Sequence, residues 1–229
     1  MRKQRGFTLN EIAIMLVIIG LLLGGVLKGQ ELLTGARVRN LISQQEGVKA
    51  AYYGFIDRFR ALPGDYSLAS ANISNVAATA NGNDNGQIRS IGGGDSINED
   101  IAVWDHLSKA GFIEGSYTYA AGAETAKSAP TNLYGRFIKL IYDNVYGTGT
   151  LTVRHNIKSG NQVPSAILGE IDRKIDDGNP AGGNFQFSTY DGGGTGGTSP
   201  TGGAAGQCYV GTTWSAETVV TNCGGASLL

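Results

Sequence analysis

The sequence predicts an α+β protein: one long N-terminal helix set on a globular head with a small antiparallel sheet, short helices and a C-terminal loop bounded by two cysteines. Three observations lead there. Residues 7–27 form a helix-compatible apolar run whose polar members are Thr8, Asn10 and Glu11. An apolar stripe at helical spacing then continues from Val38 to Leu62. Beyond Leu62 the text changes to Gly/Asn-rich turns between short apolar segments, and the 36 glycines, about twice the usual share, disfavour an all-helical body.

The apolar run comes first. At 1.5 Å rise per residue, residues 7–27 can span roughly 30 Å, the thickness of a bilayer's hydrocarbon core. Arg2, Lys3 and Arg5 precede it in a short basic leader, residues 1–6, and the positive-inside rule keeps them cytoplasmic and exports the rest. No small-residue cleavage site of the secretory kind follows Leu27. A plain uncleaved anchor is the simplest alternative, but it leaves Glu11 unexplained, because a carboxylate at membrane depth costs a few kcal/mol. Gly20, Gly24, Gly25 and Gly29 each cost the helix about 1 kcal/mol relative to alanine, and small residues let neighbouring helices approach closely.

The residues RGFTLNEIAIMLVIIGLL resemble the N-terminal signature of type IV prepilins and type II secretion pseudopilins. Asn10 departs from that family's usual apolar residue, and no proline interrupts residues 21–28, where many major pilins carry one. The resemblance implies cleavage between Gly6 and Phe7 by a prepilin peptidase, N-methylation of Phe7, and residence as a single-pass protein of the bacterial inner membrane before assembly. It also implies partners: like subunits in a helical filament and an assembly platform of a pilus or of a type II secretion system. Glu11 then lies one helical turn from a new amine at Phe7 and can pair with the Phe7 amine of an adjacent subunit, so that both desolvated charges are matched. Either a surface pilus, with this chain as a major or minor subunit, or a periplasmic pseudopilus fits. A membrane-anchored extracytoplasmic binding module is the reading from another class.

The stripe from Val38 through Leu41, Val48, Tyr52, Phe55, Phe59 and Leu62, with Gln45 as its polar exception, makes residues 28–62 the amphipathic second half of the helix. Pro63 and Gly64 are expected to end it. A helix over residues 7–62 would be roughly 80 Å long, too long for one compact domain. A coiled-coil dimer is the alternative for a stripe of under four heptads. Residues 63–229 form the head. There, Ser96 and Glu99 are spaced as a capping box opening a helix through WDHLSKAG, with Gly111 as its terminator. Residues 134–142 and 150–154 read as paired strands, 164–175 as a second helix stopped by the turn DDGNP, and 185–190 as a third strand. The Gly-rich stretch 191–206 reads as a mobile surface loop. Segments such as ALPGDY and AVWDHLSKAGFIEGSY also resemble a large-headed group of prepilin-type proteins.

Candidate sites are few. Outside the cytosol Cys208 and Cys223 pair as a disulfide; in the cytosol they would remain buried thiols. The loop they bound resembles the disulfide-bounded loop of type IV pilins. In NGNDNGQI, Asn81, Asn83 and Asn85 alternate before Gly86 as in the opening of a calcium loop, with the Gln87 carbonyl and Glu99 as further oxygen donors. The acid expected five residues after Gln87 is Gly92, and an Asn/Gly turn cluster is the competing reading. His106, on the short helix, is read as an exposed or capping residue, His155 as following a strand, and Asp176 and Asp177 as turn residues. No nucleophile–base pair or zinc spacing can be named, so no enzymatic activity and no required cofactor is expected. The net charge of −1 leaves no basic excess for phosphates, and no nucleic-acid partner is expected.

Overall fold

The computed structural model of the chain describes residues 8–91, 95–148, 152–194 and 197–229. Two compact units result, Met1–Arg37 and Val38–Leu229. A single helix, α1 (Leu9–Phe59), contributes to both. Its start is a capping box. The Glu11 carboxylate accepts hydrogen bonds from the Thr8 amide and hydroxyl, both at 2.8 Å, and the Thr8 hydroxyl accepts from the Glu11 amide at 3.3 Å.

In the first unit the helix buries nothing. Leu9, Ile12, Leu16, Leu21 and Leu27, among other large apolar side chains, lie exposed. Among the described residues this is the one helix long and apolar enough to cross a membrane. Helical structure runs unbroken through Gly20, Gly24, Gly25 and Gly29, and a Cβ at any of them would meet nothing within 4 Å. No packing among the described residues requires glycine there.

In the second unit the predicted stripe is buried: Val38, Leu41, Gln45, Val48, Ala51, Tyr52 and Phe55. The helix stops at Phe59, three residues before the expected end, because Arg60 turns into the left-handed region at φ 55°. Short helices follow: α2 (Ala69–Asn72), a 3₁₀ turn (Ala78–Ala80), α3 (Glu99–Lys109) and α4 (Ser165–Ile175). The sheet runs in the order β1 (Lys139–Asp143), β2 (Arg154–Lys158), β6 (Gly225–Leu228), β3 (Phe185–Phe187), every pair antiparallel. A separate two-stranded ribbon joins β4 (Tyr209–Val210) and β5 (Thr213–Trp214).

Several predicted elements shift. The strand expected over 150–154 begins where it was expected to end; of that range, residues 150 and 151 lie outside the described residues. Its polar letters, RHNIK, hid it: Asn156, Ile157 and Lys158 are all buried, and the Lys158 ammonium is held by Asp143 and the Val145 carbonyl at 3.0 and 2.8 Å. Of residues 134–142, only the second half joins the sheet. The strand over 185–190 ends at Phe187. Strand β6, not foreseen, is the C-terminus itself, inserted between β2 and β3. Of the 191–206 stretch, apart from residues 195–196, which lie outside the described residues, residues 203–206 are exposed as expected of a surface loop, but its start is held in place. Gly192 and Gly193 are buried, and the Gly192 and Thr198 carbonyls accept from Phe137 and Asn161.

Two cores form along the α1 stripe. Val38 and Leu41 pack with Ile167, Leu168 and Ile171 of α4, Phe185, Phe187 and the cysteines. Farther on, Val48, Ala51, Tyr52 and Phe55 pack with Val103, Trp104 and Leu107 of α3 and with Leu140 and Ile157 of the sheet. Between the two cores lies Gln45, buried, accepting a hydrogen bond from the Ser227 hydroxyl of β6. The polar exception in the stripe thus pins the closing strand to the helix. Replacing Gln45 by alanine strands the Ser227 hydroxyl and should cost about 1–3 kcal/mol. Urea unfolding of the full chain in mild detergent, followed by the fluorescence of buried Trp104 and Trp214, measures this directly.

Candidate functional site

Three places carry the residues singled out from the sequence. At the N-terminal helix, Gly6 and Phe7 lie outside the described residues. Glu11 has its Oε2 engaged by Thr8, while Oε1 has no hydrogen bond among the described residues.

At the C-terminus, Cys208 and Cys223 form a disulfide with Cα atoms 5.6 Å apart, closing a separation of 15 residues. A closure of that length contributes about 3 kcal/mol on the chain-entropy argument. The enclosed loop is anchored by Trp214, whose indole N–H donates to Asp172 of α4 at 2.7 Å, with Gly169 below the ring. Residues 210–213 and 216–219 remain exposed. The Asp172, Asp176 and Asp177 side chains bring their oxygens within 4.8 Å of one another. These oxygens serve the turn that ends α4. Asp172 also accepts from the Gly178 amide at 3.1 Å, Asp176 from the Phe185 amide at 2.8 Å, and Asp177 from the Asn179 amide at 2.8 Å.

The third place is the loop around NGNDNGQI. Asn81 is not part of its polar centre: it faces α2, its carbonyl oxygen accepting from the Ser70 amide and its nitrogen donating to the Ser70 hydroxyl. Its position is taken by Asp65, which lies in LPGDY and which local spacing could not reveal. The Asp65 carboxylate accepts the Asn85 and Gly86 amides at 3.0 and 2.7 Å. Asn83 and Asn85 each accept the amide two residues on, at 3.0 and 2.8 Å, and both donate to one oxygen of Asp95, at 2.5 and 2.8 Å. Gln87 contributes its amide to Asn85.

Glu99 is the largest departure from expectation. The predicted capping box fails: the N-cap of α3 is Asn98, with no side-chain cap bond. Glu99 instead points inward, fully buried, its Oε2 accepting a long 3.4 Å bond from the Arg89 amide. Burial, with Asp65 and then Asp95 nearby, pushes its carboxyl up to about 8. Two glycines let these segments meet. A Cβ on Gly64, at φ +92°, would lie 2.5 Å from the Glu99 carbonyl oxygen, and one on Gly82 would lie 2.1 Å from the Asp65 backbone.

His106 ties the same region together and is neither exposed nor a cap. Its Nδ1 accepts the Gly64 amide, so Nε2 carries the proton and donates to the Ala80 carbonyl, both at 2.9 Å. Burial pulls its pKa down to about 4. His155 is also lowered to about 4 by burial, its Nε2 accepting the Ile88 amide at 3.3 Å.

Comparison with known proteins finds no matching family model, no matching curated protein and no matching solved structure.

The depressed His106 pKa has a definite pH consequence. Between about pH 6.5 and 4 the unfolded chain binds a proton that the folded imidazole refuses. Its contribution, on the order of 3 kcal/mol, is therefore complete above pH 6.5 and lost as the pH falls to 4. Glu99 has the opposite slope, losing stability as the pH rises from about 4.5 to 8. His106→Gln should therefore melt lower than wild type at pH 7, with the deficit shrinking steadily toward pH 4.5. A constant deficit across that range would exclude a neutral buried imidazole.

Proposed function

We propose that the chain is a non-enzymatic structural subunit of a type IV filament, the class that includes surface pili and the pseudopili of type II secretion. On this reading residues 1–6 are removed after Gly6, Phe7 becomes the N-methylated first residue, and the apolar half of α1 moves from the inner membrane into the filament core. The head then forms the outer surface.

The observation that carries this reading is the unpartnered first half of α1. A continuous apolar helix with no buried residue must find its partner outside the chain, and contiguous exposed apolar surface of that extent marks an interaction site. Lipid alone would satisfy that demand. Glu11 and the glycines argue for more. The four glycines cost the helix about 1 kcal/mol each, with no compensating contact among the described residues; close helix–helix approach gives that cost a purpose. Glu11 keeps Oε1 available after capping, and a neighbouring subunit's Phe7 amine would complete the pair.

Glu11 separates capping from assembly, because glutamine preserves a capping box while removing the charge. Glu11→Gln and Glu11→Ala should both insert in the membrane and keep a folded head, and both should lower filament yield at least tenfold. Full assembly by Glu11→Gln would reduce the residue to a cap and remove the ion pair from the mechanism. Mass spectrometry of the native protein should find N-methyl-Phe7 as the first residue; an intact Met1 would refute processing. Imaging of sheared surface filaments distinguishes a pilus from a pseudopilus.

A further inference from the structure

We propose that Asp65, Asp95 and Glu99, together with the side-chain oxygens of Asn83 and Asn85, bind one calcium ion that braces three separate segments of the head. This inference is independent of the filament reading.

Its first support is the pair of orphaned carboxylate oxygens. Asp95 Oδ2 and Glu99 Oε1 are buried without any hydrogen-bond partner, in residues that are 8% and 0% exposed. A buried carboxylate oxygen left unmatched costs more than the bond it lacks. No ion pair recorded among the described residues involves Asp65, Asp95 or Glu99; the recorded pairs use other acids. Three carboxylates thus lie close enough to raise one another's proton affinity, with no ion pair recorded to any of them among the described residues. The other acidic group, at Asp172, has its oxygens taken up by amides and the Trp214 indole, and carries no such demand.

The donor set selects the ion. Every side-chain donor is oxygen, with neither imidazole nor thiolate, which excludes a zinc-type site. Carboxylates mixed with neutral amide oxygens suit the six to eight ligands of calcium better than the strict octahedron of magnesium. Asn83 Oδ1 and Asn85 Oδ1 each accept one backbone amide and keep a second lone pair for a cation. Asp65 accepts the amides of Asn85 and Gly86 as the first acid of a calcium loop would, although it comes from a segment some twenty residues upstream. Asn83 and Asn85 are exposed and give an ion its way in, whereas the three acids lie beneath. The ligand atoms of the three acids do not all lie within 4.8 Å of one another. Binding therefore requires the Asp95 and Glu99 carboxylates to close up on the ion.

The test uses the full chain in mild detergent, stripped with a chelator and titrated with calcium chloride at pH 7.5. Calorimetry should report one binding event per chain, and the melting temperature should rise by about 5 °C at 5 mM calcium. Magnesium should give less than half that shift. Glu99→Gln and Asp65→Asn should weaken binding at least tenfold. Without calcium, Glu99→Gln should melt no lower than wild type, because a neutral isostere replaces a buried carboxyl that has no recorded ion pair; this also shows that the variant folds. Asp176→Asn should bind as wild type does. The proposal fails if wild type shows neither heat nor shift. It fails if sodium chloride of matched ionic strength stabilises equally. It also fails if the response survives Glu99→Gln or disappears in Asp176→Asn.

Discussion

The head of this protein is organised on one stripe of α1. Val38 and Leu41 enter the core beside α4 and the disulfide, and Val48 to Phe55 enter the core beside α3 and the sheet. Each large apolar side chain so buried contributes about 1.5–3 kcal/mol relative to exposure. That packing, more than intrinsic propensity, holds this half of the helix. The first half has no such partner among the described residues, so one continuous helix is written for two different surroundings. Gln45 marks where a single polar contact links helix and sheet, and the C-terminal strand that it holds is central in the sheet rather than at an edge.

Polar groups inside the head divide into matched and unmatched sets. Lys139 of β1 bridges Asp100 of α3 and Glu124 at 2.8 and 2.7 Å. Burial works against its charge, yet those two carboxylates hold its pKa above the ordinary lysine value. Lys158 is matched by Asp143, and His106 is satisfied at both ring nitrogens while neutral. Asp100 and Asp105 each leave one buried oxygen without a hydrogen bond but are paired with Lys139 and Lys109, whereas Asp95 and Glu99 leave one each with no recorded ion pair. Burial already favours a retained proton on Glu99, which the proposed calcium ion would replace.

Much of the architecture was legible in the sequence. The apolar run, the seven-residue recurrence from Leu41 to Phe55, the Gly111 terminator and the helix ending before DDGNP depend on local periodicity and local backbone preference, which the chain states directly. Cysteine pairing followed from compartment logic, and the structure contains that bond. Strands were harder. RHNIK carries the letters of a surface turn, and only its partners across the sheet make Asn156 and Lys158 interior residues. GASL has almost no strand character of its own and is a strand because β2 and β3 leave a place for it.

The chain of side-chain contacts around Glu99 was beyond local reading. Its spacing from Ser96 imitates a helix cap, and Asp65 is separated from Asn83 by a helix and a turn, so their meeting depends on Gly64 and Gly82 allowing backbones to touch. The sequence by itself determined the long helix, its lipid-like first half with one carboxylate, and the face it offers the head. Those features repeat along the chain at the period of the helix. The tertiary structure alone decided which distant polar groups share a site, because burial and like-charge proximity arise only where separate segments pack.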